Sequence, residues 1–156
     1  MRTEAQFEEQ YAVPRDSHWQ KQITCRKHLR KRTILFADDN SELRELTRIL
    51  LQKNGYSILT AGTGAETLRL FREKCNIVDL IIIDVFLPDS NGRQVMDNVR
   101  KINSSVKILF TSGYNKDDLE NRYALKIPGH ILQKPFELKQ LLGEIRDILD
   151  QPVFSE

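Results

Sequence analysis

Six residues carry the chemistry of this sequence. An acidic pair, Asp38 and Asp39, stands in TILFADDN; a third carboxylate, Asp84, in LIIIDVFLPDSNG; adjacent hydroxyls, Thr111 and Ser112, in ILFTSGY; and Lys134 in ILQKPF. Each lies at the end of a short apolar run. Carboxylates gathered in one place repel each other and solvate poorly, so such a cluster persists only with raised pKa values or with a divalent cation. Hard oxygen donors in small number suit Mg²⁺, which keeps several waters and bridges one or two carboxylates to a phosphate oxygen. A lysine at the rim would neutralise another phosphate oxygen, and a hydroxyl would add a neutral donor. The set makes sense as a phosphoryl site with Mg²⁺ as its cofactor.

Bringing these groups together requires a frame, and the apolar pattern supplies one. Strands are expected at 33–37, 56–61, 78–83, 106–111 and 130–133. Between them, 41–53 reads as an amphipathic helix with Leu43, Leu46, Ile49 and Leu50 on one stripe, stopped by Asn54 and Gly55. Thr63 and Glu66 fit a capping box opening a helix that carries Leu68, Leu70 and Phe71. Further helices are expected at 93–101, weakly at 117–125, and at 137–149, where Leu138, Leu141, Leu142, Ile145 and Ile148 repeat at helical spacing. The alternation is βα repeated five times. Right-handed crossovers that cover both faces make this a doubly wound α/β sandwich, and ligands in such sheets bind at the carboxyl ends of the strands. All six candidate residues fall at those ends. Periodicity alone leaves the strand order open.

At these residues the chain resembles the receiver domains of response regulators in two-component signalling. The resemblance rests on the acidic pair after the first strand, on Asp84 with Pro88 four and Gly92 eight residues on, on the small hydroxyl residue, and on Lys134-Pro135. It covers about residues 33–150, and FTSGY and ILQKPF are similar in style to receivers of hybrid histidine kinases. It implies a flavodoxin-like doubly wound five-stranded parallel sheet, (βα)5, in strand order 2-1-3-4-5. It also implies roles. Asp84 would attack a phosphohistidine on a partner and become an aspartyl phosphate. Asp39, Asp84 and the backbone carbonyl of Phe86 would ligate Mg²⁺, Asp38 would act through metal-bound water, and Lys134 would pair with the phosphoryl group. Family spacing back from Lys134 favours Ser112 as the switch hydroxyl; since side chains alternate along a strand, Thr111 is then a packed strand residue. Two positions depart from the family pattern: Ile131 stands where an aromatic is frequent, and Gly113 where many relatives have alanine. The ordinary structural alternatives are an N-cap for Asp39, a turn carboxylate for Asp84 and a snorkelling lysine at 134.

The expected function is a phosphoacceptor signalling switch, not an enzyme. Its partners would be a histidine kinase or histidine phosphotransfer protein and a downstream protein target, with a homodimer left open. One alternative is a Mg²⁺-dependent α/β phosphatase-type enzyme, which would need an acid/base carboxylate close behind Asp84, where Val85 and Phe86 are apolar. The other is a nucleic-acid binder acting through the N-terminal tail. Residues 1–32 hold eight Lys/Arg against four Asp/Glu, although the whole chain is only +2. They read as a basic extension, flexible or partly helical, before a receiver domain at 33–150 and a tail at 151–156. So short a tail leaves no DNA-binding output domain in the expected architecture. Nucleic acid is not an expected partner, because basic runs are common and unspecific. No run approaches the roughly 18 apolar residues of a membrane span, and the polar first residues, with Glu4, Glu8 and Glu9, are not a secretory signal. The expected location is the cytoplasm, with Cys25 and Cys75 as free thiols.

Overall fold

The computed structural model describes residues 30–152; the expectations for residues 1–29 and 153–156 lie outside that range. Strands β1 (Thr33–Ala37), β2 (Ser57–Ala61), β3 (Val78–Asp84), β4 (Lys107–Ser112) and β5 (His130–Gln133) form one parallel sheet in the order β2-β1-β3-β4-β5. Helices α1 (Ser41–Lys53), α2 (Gly64–Lys74), α3 (Gly92–Ile102), α4 (Lys116–Tyr123) and α5 (Leu138–Asp150) connect or follow them. This is the (βα)5 flavodoxin-like sheet that the resemblance implied.

The strands read as unbroken apolar runs because both faces of the sheet are covered. On one face Ile34, Phe36, Leu80, Ile82 and Leu109 pack with Leu51 of α1 and with Leu141, Ile145 and Ile148 of α5. On the other, Leu35, Ile81, Ile83, Ile108 and Phe110 pack with Phe71 of α2, Val95 and Val99 of α3, and Leu119 of α4. Alternate residues of each strand thus serve opposite layers. Each fully buried aliphatic or aromatic side chain contributes roughly 1.5–3 kcal/mol, so the two layers hold the strand ends firmly in place.

Several local expectations are corrected. The strand after α2 runs one residue further than expected, making Asp84 its last residue, and β4 lies one residue later, making Ser112 its last. In α1 the buried residues are Thr47 and Leu51, with Leu43 and Leu50 partly buried; Leu46 is 54% exposed and Ile49 38% exposed. The stripe is rotated from the expected one because α1 lies against β2 and β1, in the layer that holds Ile34, Phe36 and Ile58, and that contact sets which turn of the helix faces inward. The capping box at α2 is half formed: Thr63 Oγ1 accepts from Glu66 N at 3.1 Å, but the Glu66 carboxylate reaches past Thr63 to Gly62 N at 2.7 Å. Weakly patterned α4 ends at Tyr123, where Ala124 takes a left-handed φ of 50°. No helix among the described residues is long and apolar enough to cross a membrane, and Cys75 is a free thiol.

Candidate functional site

The site forms at the carboxyl edge of the sheet, where β1 and β3 end side by side and β5 ends one strand further on, beyond β4. Asp38 follows β1, and its N–H donates to the Ala61 carbonyl at 3.1 Å. Its side chain is fully buried, with Oδ1 accepting from Asn40 N at 2.9 Å. Asn40 in turn accepts from Leu43 N at 3.0 Å and caps α1. Asp39 therefore has no capping duty; it is exposed, and its carboxylate is in no hydrogen bond or ion pair among the described residues. Asp84 closes β3, with Oδ1 accepting from Phe86 N at 3.1 Å. Ligand oxygens of Asp38, Asp39 and Asp84 lie within 4.8 Å of one another. Lys134 follows β5 and enters a cis peptide bond to Pro135. Its Nζ donates to Asp38 Oδ2 at 2.5 Å and to Asp84 Oδ2 at 2.8 Å, so it bridges two carboxylates instead of snorkelling to the surface.

Burial pushes the Asp84 carboxyl above the ordinary carboxylate range; the hydrogen bond and charge of Lys134 and the Phe86 N–H pull it down without overcoming burial, and Asp38 adds like-charge repulsion. Burial pulls the Lys134 ammonium down, yet its hydrogen bonds to Asp38 and Asp84 and their charges together hold it above the ordinary lysine range. One contact gives these two outcomes because Lys134 has two carboxylate partners, whereas Asp84 has one ammonium and a like-charged neighbour. A pocket so arranged favours proton uptake on the acid and retention on the amine. It is built for further positive charge.

A family model described as "Response regulator receiver domain" matches residues 34–146. The chain belongs to the response-regulator receiver family. The receiver is 30% identical to the sensor kinase CckA of Brucella abortus over 119 residues, covering 76% of this chain and 13% of that protein. It is 32% identical to the transcriptional regulatory protein CpxR of Klebsiella pneumoniae over 124 residues, covering 79% of this chain and 51% of that one. It thus spans about half, or far less, of the length of these curated relatives. Among solved structures, it is similar to the response regulator TrrA of Thermotoga maritima in complex with Mg²⁺ and BeF, at a TM-score of 0.64 and 28% identity over 75% of this chain and 98% of that one. Receiver domains are regulatory phosphoacceptor domains of two-component systems, which is the class of function this chain carries.

The two hydroxyls of the receiver differ sharply. Thr111 pairs with Asp84 across the β3–β4 ladder and is fully buried, with Oγ1 finding no partner among the described residues. Ser112 is also buried; its Oγ accepts from Tyr114 N at 3.0 Å, and its carbonyl accepts from Lys134 N at 2.7 Å. Neither hydroxyl bonds to the carboxylates. Phe86, Tyr114 and Tyr123 form a ring trio with centroids 5.0–6.0 Å apart in edge-on contact. It links the loop after β3 to the loop after β4 and to the end of α4. Ile131, at the position where an aromatic is frequent, packs half-buried against the core layer on the α2–α4 side of the sheet.

Two contributors here, Arg44 and Asp89, were not singled out from the sequence, and Gly92 was noted only for its spacing. Arg44 Nη1 donates to the Asp38 carbonyl at 2.6 Å. Gly92 is required for space: a Cβ there would stand 2.7 Å from the Asp84 carbonyl oxygen and 3.3 Å from the Phe110 ring. Asp89 reaches across from the β3–α3 loop to the start of α2, accepting from Gly64 N at 2.8 Å and from Ala65 N at 2.9 Å. Those two backbone donors hold its carboxyl below the usual range. Only an unpaired acid in a loop marks Asp89 in the sequence, and its target lies 24 or 25 residues away. Asp89→Ala is expected to cost about 1 kcal/mol, as for loss of a helix N-terminal acceptor. Because the folded pKa is depressed, this stabilisation is present above the unfolded carboxylate range and is lost as pH falls through the folded value. Denaturant melts of both proteins at neutral and acid pH should therefore differ at neutral pH and converge in acid.

Proposed function

We propose that this receiver accepts a phosphoryl group onto Asp84 from the phosphohistidine of a histidine kinase or histidine phosphotransfer protein, and that the phosphorylated form regulates a partner protein in the cytoplasm. The observation that carries this reading is Lys134 Nζ shared between Asp38 and Asp84 beside an unbonded Asp39. When ionised, three carboxylates against one ammonium leave two negative charges, and the donors are all hard oxygens. That set fits Mg²⁺. Asp39, Asp84 and the Phe86 carbonyl would hold the ion directly, and Asp38 through water; once bound, it would neutralise charge on the transferring phosphoryl group.

The chain's own groups would do the rest. A carboxylate oxygen of Asp84 attacks phosphorus in line, a P–O bond forms, and the P–N bond to the donor imidazole breaks, with the electron pair leaving on nitrogen. Lys134 exchanges its Asp84 contact for a phosphoryl oxygen. Catalysis by positioning and charge neutralisation needs no further acid or base. The working unit is residues 33–150, with 1–32 and 151–156 as appendages.

The test is labelling by acetyl phosphate or phosphoramidate, read by intact mass. One acid-labile phosphoryl group should appear with Mg²⁺ and not without it. Mg²⁺-independent labelling, or multiple turnover of phosphate monoesters, would overturn the reading. Ser112 would serve as the switch, since its hydroxyl stands at the last position of β4 and would exchange the Tyr114 N–H for the phosphoryl group. Ser112→Ala is expected to accept phosphate but lose most of the phosphorylation-dependent change in amide hydrogen exchange over β4 and β5. An undiminished response would remove Ser112 from this role.

A further inference from the structure

We propose that Arg44 is a positioning residue for the metal site, fixing the peptide that joins Asp38 to Asp39 and so aiming the Asp39 carboxylate. The inference rests on the proposed binding of Mg²⁺ by Asp39. A side chain with no bonds of its own can be pre-aimed only through its backbone, and the Asp39 carboxylate has none among the described residues. Both peptide planes flanking Asp39 are held. In the plane that follows it, Asn40 N–H donates to Asp38 Oδ1 at 2.9 Å. In the plane that precedes it, the Asp38 carbonyl accepts from Arg44 Nη1 at 2.6 Å. The residue on the near side is anchored as well, by Asp38 N–H to the Ala61 carbonyl at 3.1 Å. Two oriented planes fix the Cα–Cβ direction between them.

Arg44 is itself braced. Its guanidinium lies over Gly62, where an added Cβ would stand 3.1 Å from Nη1, 3.3 Å from Cζ and 3.5 Å from Nη2. Gly62 does not have a left-handed φ, so what this position supplies is room for the guanidinium. Its N–H is held by the Glu66 carboxylate at 2.7 Å. Although it reaches the backbone of a residue in a three-carboxylate cluster, Arg44 makes no ion pair among the described residues and is bonded to the Asp38 carbonyl instead. Its placement serves geometry in preference to charge neutralisation.

Geometry and charge predict opposite signs. Removing a cation near a cation site tightens binding by Coulomb attraction alone, whereas losing an outer-shell orienting group weakens metal affinity by about ten- to a hundredfold. Titration of the full chain with MgCl₂ by isothermal calorimetry decides between them. Arg44→Ala is expected to weaken Mg²⁺ binding by that factor. Arg44→Lys should recover part of the loss, since an ammonium can donate one bond but cannot lie flat over Gly62. Gly62→Ala should weaken binding while Arg44 is present and have no further effect in Arg44→Ala. In metal-free protein, the Asn40 amide should exchange with solvent faster in Arg44→Ala than in wild type. Unchanged or tighter Mg²⁺ binding in Arg44→Ala, or a Gly62→Ala effect of equal size in both backgrounds, overturns the inference. Should wild type show no Mg²⁺ binding that Asp39→Asn removes, the metal reading fails instead, and the metal-free exchange comparison still decides what Arg44 does.

Discussion

Asp84→Asn is expected to abolish stable phosphoryl labelling by acetyl phosphate and Mg²⁺, leaving the intact mass of the treated protein unchanged. The amide oxygen can still accept from Phe86 N, so the turn after β3 keeps its 3.1 Å contact, but a neutral amide is neither a competent nucleophile nor a charged metal ligand. The same change should not harm the fold. Burial raises the Asp84 carboxyl pKa, so the folded chain binds that proton more tightly than the unfolded chain does. Stability therefore falls as pH rises through the folded value, and the ionised form is a burden at neutral pH. Relative to wild type, the variant should be at least as stable near pH 7, with any advantage fading in acid once wild-type Asp84 is protonated. A full acid-labile phosphate on the variant would show that another residue is the acceptor. A large loss of stability at neutral pH would show that the carboxylate itself supports the fold.

Lys134→Ala is expected to cost about 3 kcal/mol in metal-free buffer at neutral pH, at the low end for a buried ion pair broken on one side. The low end applies because the lysine side chain is 23% exposed, while those of Asp38 and Asp84 are 1% and 13% exposed. Without the ammonium, the two buried carboxylates face each other with only the Asn40 and Phe86 N–H groups to offset their repulsion and desolvation. Two conditions should restore stability. Mg²⁺ at concentrations well above its Kd should do so by binding the folded state alone. Lower pH should do so because removing Lys134 takes away the largest influence lowering the Asp84 pKa, so the variant gains stability as pH falls through a still higher folded value. Urea melts with and without MgCl₂, at neutral and mildly acid pH, provide the check. A cost below about 0.5 kcal/mol, the scale of an ordinary surface substitution, would mean that water or rearrangement already screens the pair.

The sequence by itself determined the five-fold βα alternation and the edge of the sheet at which the chemistry gathers. Strands covered on both faces have to be apolar at nearly every position, so they stand out as runs, and the polar residue ending each run is conspicuous for that reason. Asp38, Asp39, Asp84, the adjacent pair Thr111 and Ser112, and Lys134 stood out as candidates in this way, and the preference for Ser112 came only from the resemblance. Strand order was legible only through the resemblance, because periodicity reports how a segment packs and not beside which neighbour.

Only the tertiary structure decided the contacts that depend on a partner far along the chain. The stripe of α1 turned Leu46 and Ile49 outward because its centre is set by contact with β2 and β1, and a helix with apolar residues over a wide arc can bury any part of that arc. Asn40 caps α1 in place of Asp39 because Asp38 already holds the Asn40 N–H and turns the chain there. Asp89 binds the start of α2 instead of that of its own neighbouring helix, and Lys134 joins Asp38 across 96 residues and Asp84 across 50. Local propensity is written into spacings of two to four residues, whereas these bonds exist only after the sheet has brought separate strand ends together. The order of residues says which groups are available; the closed sheet sets which oxygen each nitrogen meets.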